Sequence, residues 1–446
     1  MPNYKNERII IVGLGITGLS CVKYLYNKYK ILPRITDSYH PSLKTKKLFK
    51  HLVCHFNGIN EKWLLESTLI IISPGIPLSH PAIIKAKKSG IEIIGDIELF
   101  SREINKQNKK KNIIAITGTN GKSTVATMIF KIAKKSGLKV GIGGNIGIPI
   151  VNLLNKKYQL YILELSSFQL ETTYTLKPYV STILNISENH INRYPNGIQE
   201  YRKAKLRIYK NSKICITNAE NNLTNPTKIK QNCKYINFGI NSGNYHLHKC
   251  KNKNIWITVN NKKIINTNSM KLSGTHNYIN ALATLALADS INIPRKHSIF
   301  IIKNFHGLPH RCELIHNNNN IKWINDSKST NIESTKAAIQ TFKNTKGTLH
   351  LILGGYGKST NFIYLKKYIQ NKNIKIYCFG KDGIKLYKLC PKISILKNTL
   401  KEIISIIKKK VKQKDIVLFS PACSSTDQFK NFKERGKMFK KYIKNF

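Results

Sequence analysis

The sequence predicts an α/β fold built as three successive units, and three observations carry that reading. Short β-rich runs alternate with amphipathic stretches along the 446-residue chain, the rhythm of strand–helix–strand units. Two glycine-rich turns each stand between such a run and a helix-like stretch, where a doubly wound sheet takes its ligands. The length suits about two to four domains at roughly 100–200 residues each.

In the first unit residues 9–12 read as a strand and 17–26 as a helix, with further strands at 31–36, 68–73 and 91–94. A polar, lysine-rich run over 106–112 reads as a linker. The second series opens with a strand at 113–117 and continues through 160–164 and 182–185. Residues 252–266 look hairpin-like and lysine-rich, a surface excursion. The third segment begins near Leu308, with strands at 321–324, 349–353, 374–379 and 416–420. No short-period repeat is present.

Composition narrows the function classes. Hydrophobic residues make up 41% of the chain, too many for a disordered one. No apolar stretch approaches the roughly 18–20 residues of a membrane span. The N-terminus lacks signal-peptide architecture, and nine dispersed cysteines without a C-x-x-C pair fit reduced thiols, so a cytoplasmic protein is expected. The formal charge is +53, but the cations are 66 lysines and nine arginines. Arginine is the preferred bidentate partner of phosphate and guanine, and the lysines follow no arm or stripe, so nucleic-acid recognition is disfavoured. With 22 acidic residues in all, a carboxylate beside glycines or hydroxyls is an informative one.

The first turn, Gly13-Leu14-Gly15-Ile16-Thr17-Gly18, has the G-x-G-x-x-G form, and Asp37 follows 24 residues after Gly13. Small residues there let the backbone approach a pyrophosphate, and the acid can take a ribose or base. A dehydrogenase, a nucleotide-sugar binder and a plain tight turn all fit. The second, Thr117-Gly118-Thr119-Asn120-Gly121-Lys122-Ser123-Thr124, points backbone N–H groups at phosphates. Lys122 neutralises them, and Ser123 or Thr124 can ligate Mg²⁺; this turn argues for ATP. A third cluster, Gly143-Gly144-Asn145-Ile146-Gly147, fits a substrate group or a turn.

Glu164 ends a predicted strand, where a metal-ligating carboxylate belongs in a phosphate-loop domain, and Ser166 and Gln169 beside it could hold a substrate. Asn185 to His190 follows another strand end and offers His190 as a ligand or transition-state stabiliser. On residue type alone Lys205 is one exposed helix lysine among dozens. In the third segment Arg311, Asp326 and Lys328 suit a nucleotide and its transferred phosphoryl charge. Ser420 to Asp427 closes the last strand.

These blocks together resemble the Mur ligases, and within them the branch that adds D-glutamate. The resemblance runs through G-L-G-I-T-G-L-S, S-P-G-I-P, G-D-I-E-L-F, T-G-T-N-G-K-S-T, G-G-N-I-G, E-L-S-S-F-Q-L-E, L-P-H-R, N-D-S-K-S-T-N and S-P-A-C-S-S-T-D-Q-F-K-N-F, in that order. It implies a Rossmann-like UDP-substrate domain over 1–104, a P-loop-type central ATPase domain over 105–307 and a Rossmann-like C-terminal domain over 308–446 that closes on both. The implied reaction is ATP-dependent amide formation between UDP-N-acetylmuramoyl-L-alanine and D-glutamate through an acyl phosphate, in cytoplasmic peptidoglycan precursor synthesis. The implied protein is a monomer that binds small molecules, with neither nucleic acid nor membrane as partner.

Position by position, the resemblance assigns Thr17, Thr36, Asp37, Gly75, Asn145, Ser166 and Gln169 to the UDP substrate. It assigns Gly118, Thr119, Asn120, Gly121, Lys122, Ser123, Thr124, Asn277, Asn280, Arg311, Asp326 and Lys328 to ATP. Thr330, Lys358, Ser425 and Phe432 fall at D-glutamate. Lys122, His190, Lys205 and Asp326 are the catalytic set. Two Mg²⁺ sites draw on Ser123, Glu164, His190 and Lys205, the last through a carbamate on its amine. Asn189 and Asn192 stand where the resemblance expects aspartates, Tyr356 replaces another, and Thr426 replaces an apolar residue. Against these readings stand a nicotinamide oxidoreductase, which leaves the ATP turn unexplained, a basic nucleic-acid-binding ATPase or non-catalytic scaffold, and, within the same mechanism class, other Mur-type ligases and the related folylpolyglutamate ligases.

Overall fold

A computed structural model describes residues 4–38, 52–106, 112–189, 193–229, 231–251, 254–318, 320–342, 345–357, 360–370 and 373–444. The chain forms two compact units, Met1–Ser269 with Ile279–Lys303, and Met270–Tyr278 with Asn304–Phe446.

The first unit contains two sheets. One has β1 (Ile9–Val12), β2 (Arg34–Thr36), β3 (Cys54–His55), β4 (Leu69–Ile72) and β5 (Glu92–Ile94) in the order β3-β2-β1-β4-β5, all parallel. β1 and β4 are buried at every position, as strands covered on both faces must be. Strand order reverses at β1, so the first glycine turn and the loop after β4 open at a topological switch point.

The other sheet has nine strands: β6 (Asn112–Thr117), β7 (Val140–Gly144), β8 (Leu160–Glu164), β9 (Val180–Ile183), β10 (Ile214–Asn218), β11 (Lys234–Gly239), β12 (Tyr245–Lys249), β13 (Ile255–Val259) and β14 (Lys262–Asn266). β6 lies between β8 and β9, and the phosphate loop leaves its C-terminal end. The helix Asp96–Asn105 joins the two sheets into one core. Its Phe100 ring meets Tyr161 of β8 edge-on at 5.4 Å, and its Glu98 carboxylate accepts the Tyr174 and Thr175 N–H groups.

The second unit carries β15 (Glu313–Asn318), β16 (Ile321–Asn325), β17 (Leu349–Gly354), β18 (Ile374–Phe379), β19 (Ser394–Leu396) and β20 (Ile416–Ala422) in the order β15-β16-β20-β17-β18-β19. β15 is antiparallel and the others are parallel, with apolar clusters on both faces.

Three expectations shift. The strand expected over 31–36 starts at Arg34, because Pro33 has no N–H to give a ladder. The one expected over 182–185 is β9, displaced toward the N-terminus because Asn185 turns to bond the phosphate loop. The lysine-rich hairpin is not a detached excursion: β13 and β14 extend the nine-stranded sheet and bury Ile257, Val259 and Ile265. The linker expected over 106–112 lies mostly outside the described residues. Among those described, no helix is long and apolar enough to cross a membrane.

Candidate functional site

The first glycine turn is closed by backbone packing. Gly13 has φ +92°, and its N–H bonds the Thr36 carbonyl at 2.9 Å. A methyl group on Gly18 would overlap the Gly13 carbonyl oxygen, so only glycine lets the helix Ile16–Tyr29 start this close to β1. The next amide, Leu14 N–H, donates to Asp37 Oδ2 at 2.5 Å, which fixes that carboxylate at the mouth of the turn. Thr17 is half-buried at the start of the helix that follows, and Gly75 is exposed in the loop after β4. Thr36 is fully buried, and its hydroxyl bonds the Gly58 carbonyl and the Asn60 N–H, which makes it a support beneath the turn.

The phosphate loop has φ +151° at Gly118 and +84° at Gly121. The segment after β9 supports it. Asn185 takes the Thr119 N–H on its carbonyl and the Asn120 N–H on its side chain, both at 2.9 Å, and Thr119 bonds Ser187 in both directions. Lys122 folds back so that Nζ donates to the Gly118 and Thr119 carbonyls at 2.7 and 2.9 Å. Thr124 is buried on the first turn of the helix Lys122–Lys135, with Ser123 half-buried before it. Asn280 packs its amide oxygen against Gly121, whereas Asn277 belongs to the second compact unit and donates to the Ser273 carbonyl.

Lys205 corrects the residue-level reading. It is 1% exposed, and Nζ reaches Thr117 Oγ1 at 3.2 Å and the Gly118 carbonyl at 3.1 Å. Burial, then the neighbouring Lys122 charge, holds its amine well below the usual lysine range. Tyr201, one helical turn earlier, lies under this amine at 4.6 Å and reaches Thr119 Oγ1 at 3.4 Å. Sequence reasoning passed over Tyr201, although its i, i+4 spacing to Lys205 was a usable signal. Glu164 is equally buried. Its Oε1 accepts Asn145 Nδ2 at 2.9 Å, and its Oε2 has no hydrogen-bond partner among the described residues. A buried, unpartnered carboxylate oxygen is costly, and a cation is what it fits.

Ser166 and Gln169 form a reciprocal capping box at the helix Ser167–Glu171, and Gln169 Nε2 reaches Asp96 at 3.4 Å. Their polar groups thus serve the helix start as well as any substrate. Among the described residues no three His, Cys, Asp or Glu side chains cluster as metal ligands. His190, Asn192 and Lys358 lie outside the described residues.

In the second unit Asp326 accepts Cys312 N–H at 3.1 Å and Ser420 Oγ at 2.8 Å, and burial pushes its carboxyl up to about 6. Arg311 is half-buried and its charge acts on Asp326. Lys328 Nζ stands over the Phe432 ring at 4.0 Å, with Thr330 exposed two residues on and Ser425 buried after β20. Arg435, unnoticed in the sequence, is fully buried and donates to Ser327 and to the Cys423 carbonyl. It thereby ties the loop after β16 to the one after β20. Tyr356 pairs with Ser424 through both backbone groups, and Lys381 covers its ring at 4.7 Å.

Comparison with known proteins accounts for nearly all of these blocks. Residues 7–95 match the N-terminal domain of MurD-like Mur ligases, 116–288 the Mur ligase middle domain, and 310–423 the Mur ligase glutamate ligase domain. A UDP-N-acetylmuramoylalanine--D-glutamate ligase of Buchnera aphidicola is 52% identical over 99% of both chains. One of Escherichia coli is 46% identical over 100% of this chain and 99% of its own. The solved structure of a MurF ligase from Thermotoga maritima, in complex with ADP, superposes with a TM-score of 0.63 at 15% identity, covering 99% of this chain and 97% of that one.

Proposed function

The chain belongs to the Mur ligase family, and from that premise we propose that it joins D-glutamate to UDP-N-acetylmuramoyl-L-alanine at the expense of ATP. The observation that carries the reading is the buried pair at the phosphate loop: the Lys205 amine against Gly118, and the Glu164 oxygen without a hydrogen-bond partner among the described residues. The names of the full-length relatives supply the amino acid.

The functional division follows residues 1–104 for the UDP substrate, 105–307 for ATP and 308–446 for the closing domain. Asp37, Thr17 and Gly75 take the UDP end, with Thr36 behind them, and Asn145, Ser166 and Gln169 lie further along that substrate. The amides of residues 118–121 and Lys122 take the ATP phosphates, with Asn277, Asn280, Arg311, Asp326 and Lys328 on the nucleotide. Glu164, Ser123 and His190 would hold Mg²⁺, which neutralises phosphate charge when bound. Thr330, Lys358, Ser425 and Phe432 receive D-glutamate.

The L-alanyl carboxylate attacks the γ-phosphorus and ADP leaves, giving an acyl phosphate. The D-glutamate amine then attacks the acyl carbon, loses a proton, and phosphate departs as the amide forms. Lys122 offsets the charge that develops in the first step. A neutral Lys205 amine can add CO₂ and release a proton, becoming an anionic carbamate that adds to the Glu164 charge. Phosphate release from ATP and Mg²⁺ with the UDP substrate tests the reading. It should require D-glutamate and fail with L-glutamate, L-lysine or no amino acid; release independent of D-glutamate would refute it.

A further inference from the structure

Arg193 closes the block Glu188 to Arg193 that contains His190. Its guanidinium donates to the Gly75 carbonyl at 3.2 Å and to the Ile76 carbonyl at 2.9 Å, in a segment more than a hundred residues earlier. Its ion-pair partner among the described residues, Glu171, is 3.9 Å away and also accepts a hydrogen bond from the Tyr194 hydroxyl. The two hydrogen bonds of this cation therefore go to one backbone turn, and Glu171 adds a longer ion pair. A planar guanidinium suits that task, because it presents two donors in a fixed fork.

The turn it holds is the one that shapes the first glycine loop. Ile76 N–H closes the turn onto the Ser73 carbonyl at 3.0 Å, and Ser73 Oγ donates to the Gly13 carbonyl at 2.8 Å. Any side chain on Gly13 would meet Ser73 and Ile76. Gly13 and Arg193 thus both contact the same four-residue turn.

Arg193 is also tied to the phosphate loop. Its guanidinium lies over Phe168 at 4.2 Å, Phe168 stacks on Tyr194 at 6.0 Å, and Tyr194 meets Tyr201 at 5.3 Å. Tyr201 in turn touches Thr119 and the Lys205 amine. Three aromatic rings connect the arginine to the ATP side of the unit.

We propose that Arg193 is a positioning residue, whose fork fixes the 73–76 turn against Gly13 and so sets where the UDP end of the substrate lies relative to the phosphate loop. The proposal rests on the ligase reading for the identity of the substrate. It predicts a split between substrates, because ATP contacts the phosphate loop directly and the UDP end does not.

The test is R193A and R193K in the full chain, with the KM for each substrate, kcat, and calorimetric binding of UDP-N-acetylmuramoyl-L-alanine without ATP. R193A should weaken the UDP substrate at least about tenfold in both KM and calorimetric Kd, with the KM for ATP within about twofold, as loss of a two-bond charged anchor requires. R193K should fall between, since an ammonium cannot supply the fork, and added guanidinium chloride should restore part of the R193A loss. Unchanged affinity for the UDP substrate in R193A, or an equal loss for ATP, overturns the proposal. If R193A does not fold, R193K carries the test, and wild-type affinity in it overturns the proposal. A wild-type chain that binds the UDP substrate without D-glutamate-dependent phosphate release refutes the ligase reading, while the calorimetric comparison still decides on Arg193.

Discussion

The Lys205 amine lies 3.1 Å from the carbonyl oxygen of Gly118, so a lysine from a distant helix is built into the floor of the phosphate loop. Burial at 1% exposure and the nearby Lys122 charge both favour the neutral amine. The neutral form is the one that attacks CO₂, and its fraction grows with pH. The expected outcome is a carbamate resonance in the ¹³C spectrum of chain equilibrated with ¹³CO₂, rising with pH and absent from K205A. A spectrum without that resonance at any pH refutes the modification.

Lys122 is held by two carbonyls of its own loop, at 2.7 and 2.9 Å, so it is preplaced where phosphate oxygens would meet the loop. K122A should lower D-glutamate-dependent phosphate release at least about 100-fold, the scale of losing one preorganised charge at a developing anion. Its circular dichroism should match the parent, because Lys122 is half-buried and spans no core. Turnover close to the parent's would remove Lys122 from the phosphate grip.

Much of this architecture was legible because parallel sheets announce themselves. Buried strands such as β1 and β4 are unbroken apolar runs, and the chemistry sits in the turns that follow them. Lys205 was not legible from composition. Its burial depends on a neighbour far away in sequence, Gly118, and only the family resemblance marked it among 66 lysines. Arg193 and Arg435 were missed for the same reason, since each is defined by backbone carbonyls that no residue pattern reveals. The end of β9 was misjudged where Asn185 leaves the ladder to serve the phosphate loop.

Two glycines of the first turn should separate fold from binding. Gly18 has no room for a methyl group beside the Gly13 carbonyl, whereas a methyl on Gly15 meets nothing within 4 Å. G18A should lower Tm by several degrees, as overpacking by about 1–3 kcal/mol does. G15A should keep the parent Tm yet weaken the UDP substrate, because Gly15 is exposed where a pyrophosphate would approach. Calorimetry and thermal melts distinguish the two, and G15A with full affinity would show that this turn does not cradle the diphosphate.

Asp96 gives the unit a pH dependence of defined sign. It opens the helix Asp96–Asn105 at 3% exposure; Oδ1 has no partner among the described residues, and Gln169 reaches Oδ2 at 3.4 Å. Burial raises its carboxyl from 3.8 to about 6, so the folded chain keeps a proton that the unfolded chain has released. The resulting stabilisation is complete below about 3.8 and is lost as pH rises through about 6. At pH 8 the buried carboxylate then costs up to about 3 kcal/mol. D96N stays neutral and retains a donor and an acceptor at that position. Its Tm should therefore match the parent near pH 4 and exceed it by a few degrees at pH 8. A D96N chain less stable than the parent at pH 8 would mean that ionised Asp96 is held by the start of its helix more strongly than burial opposes it.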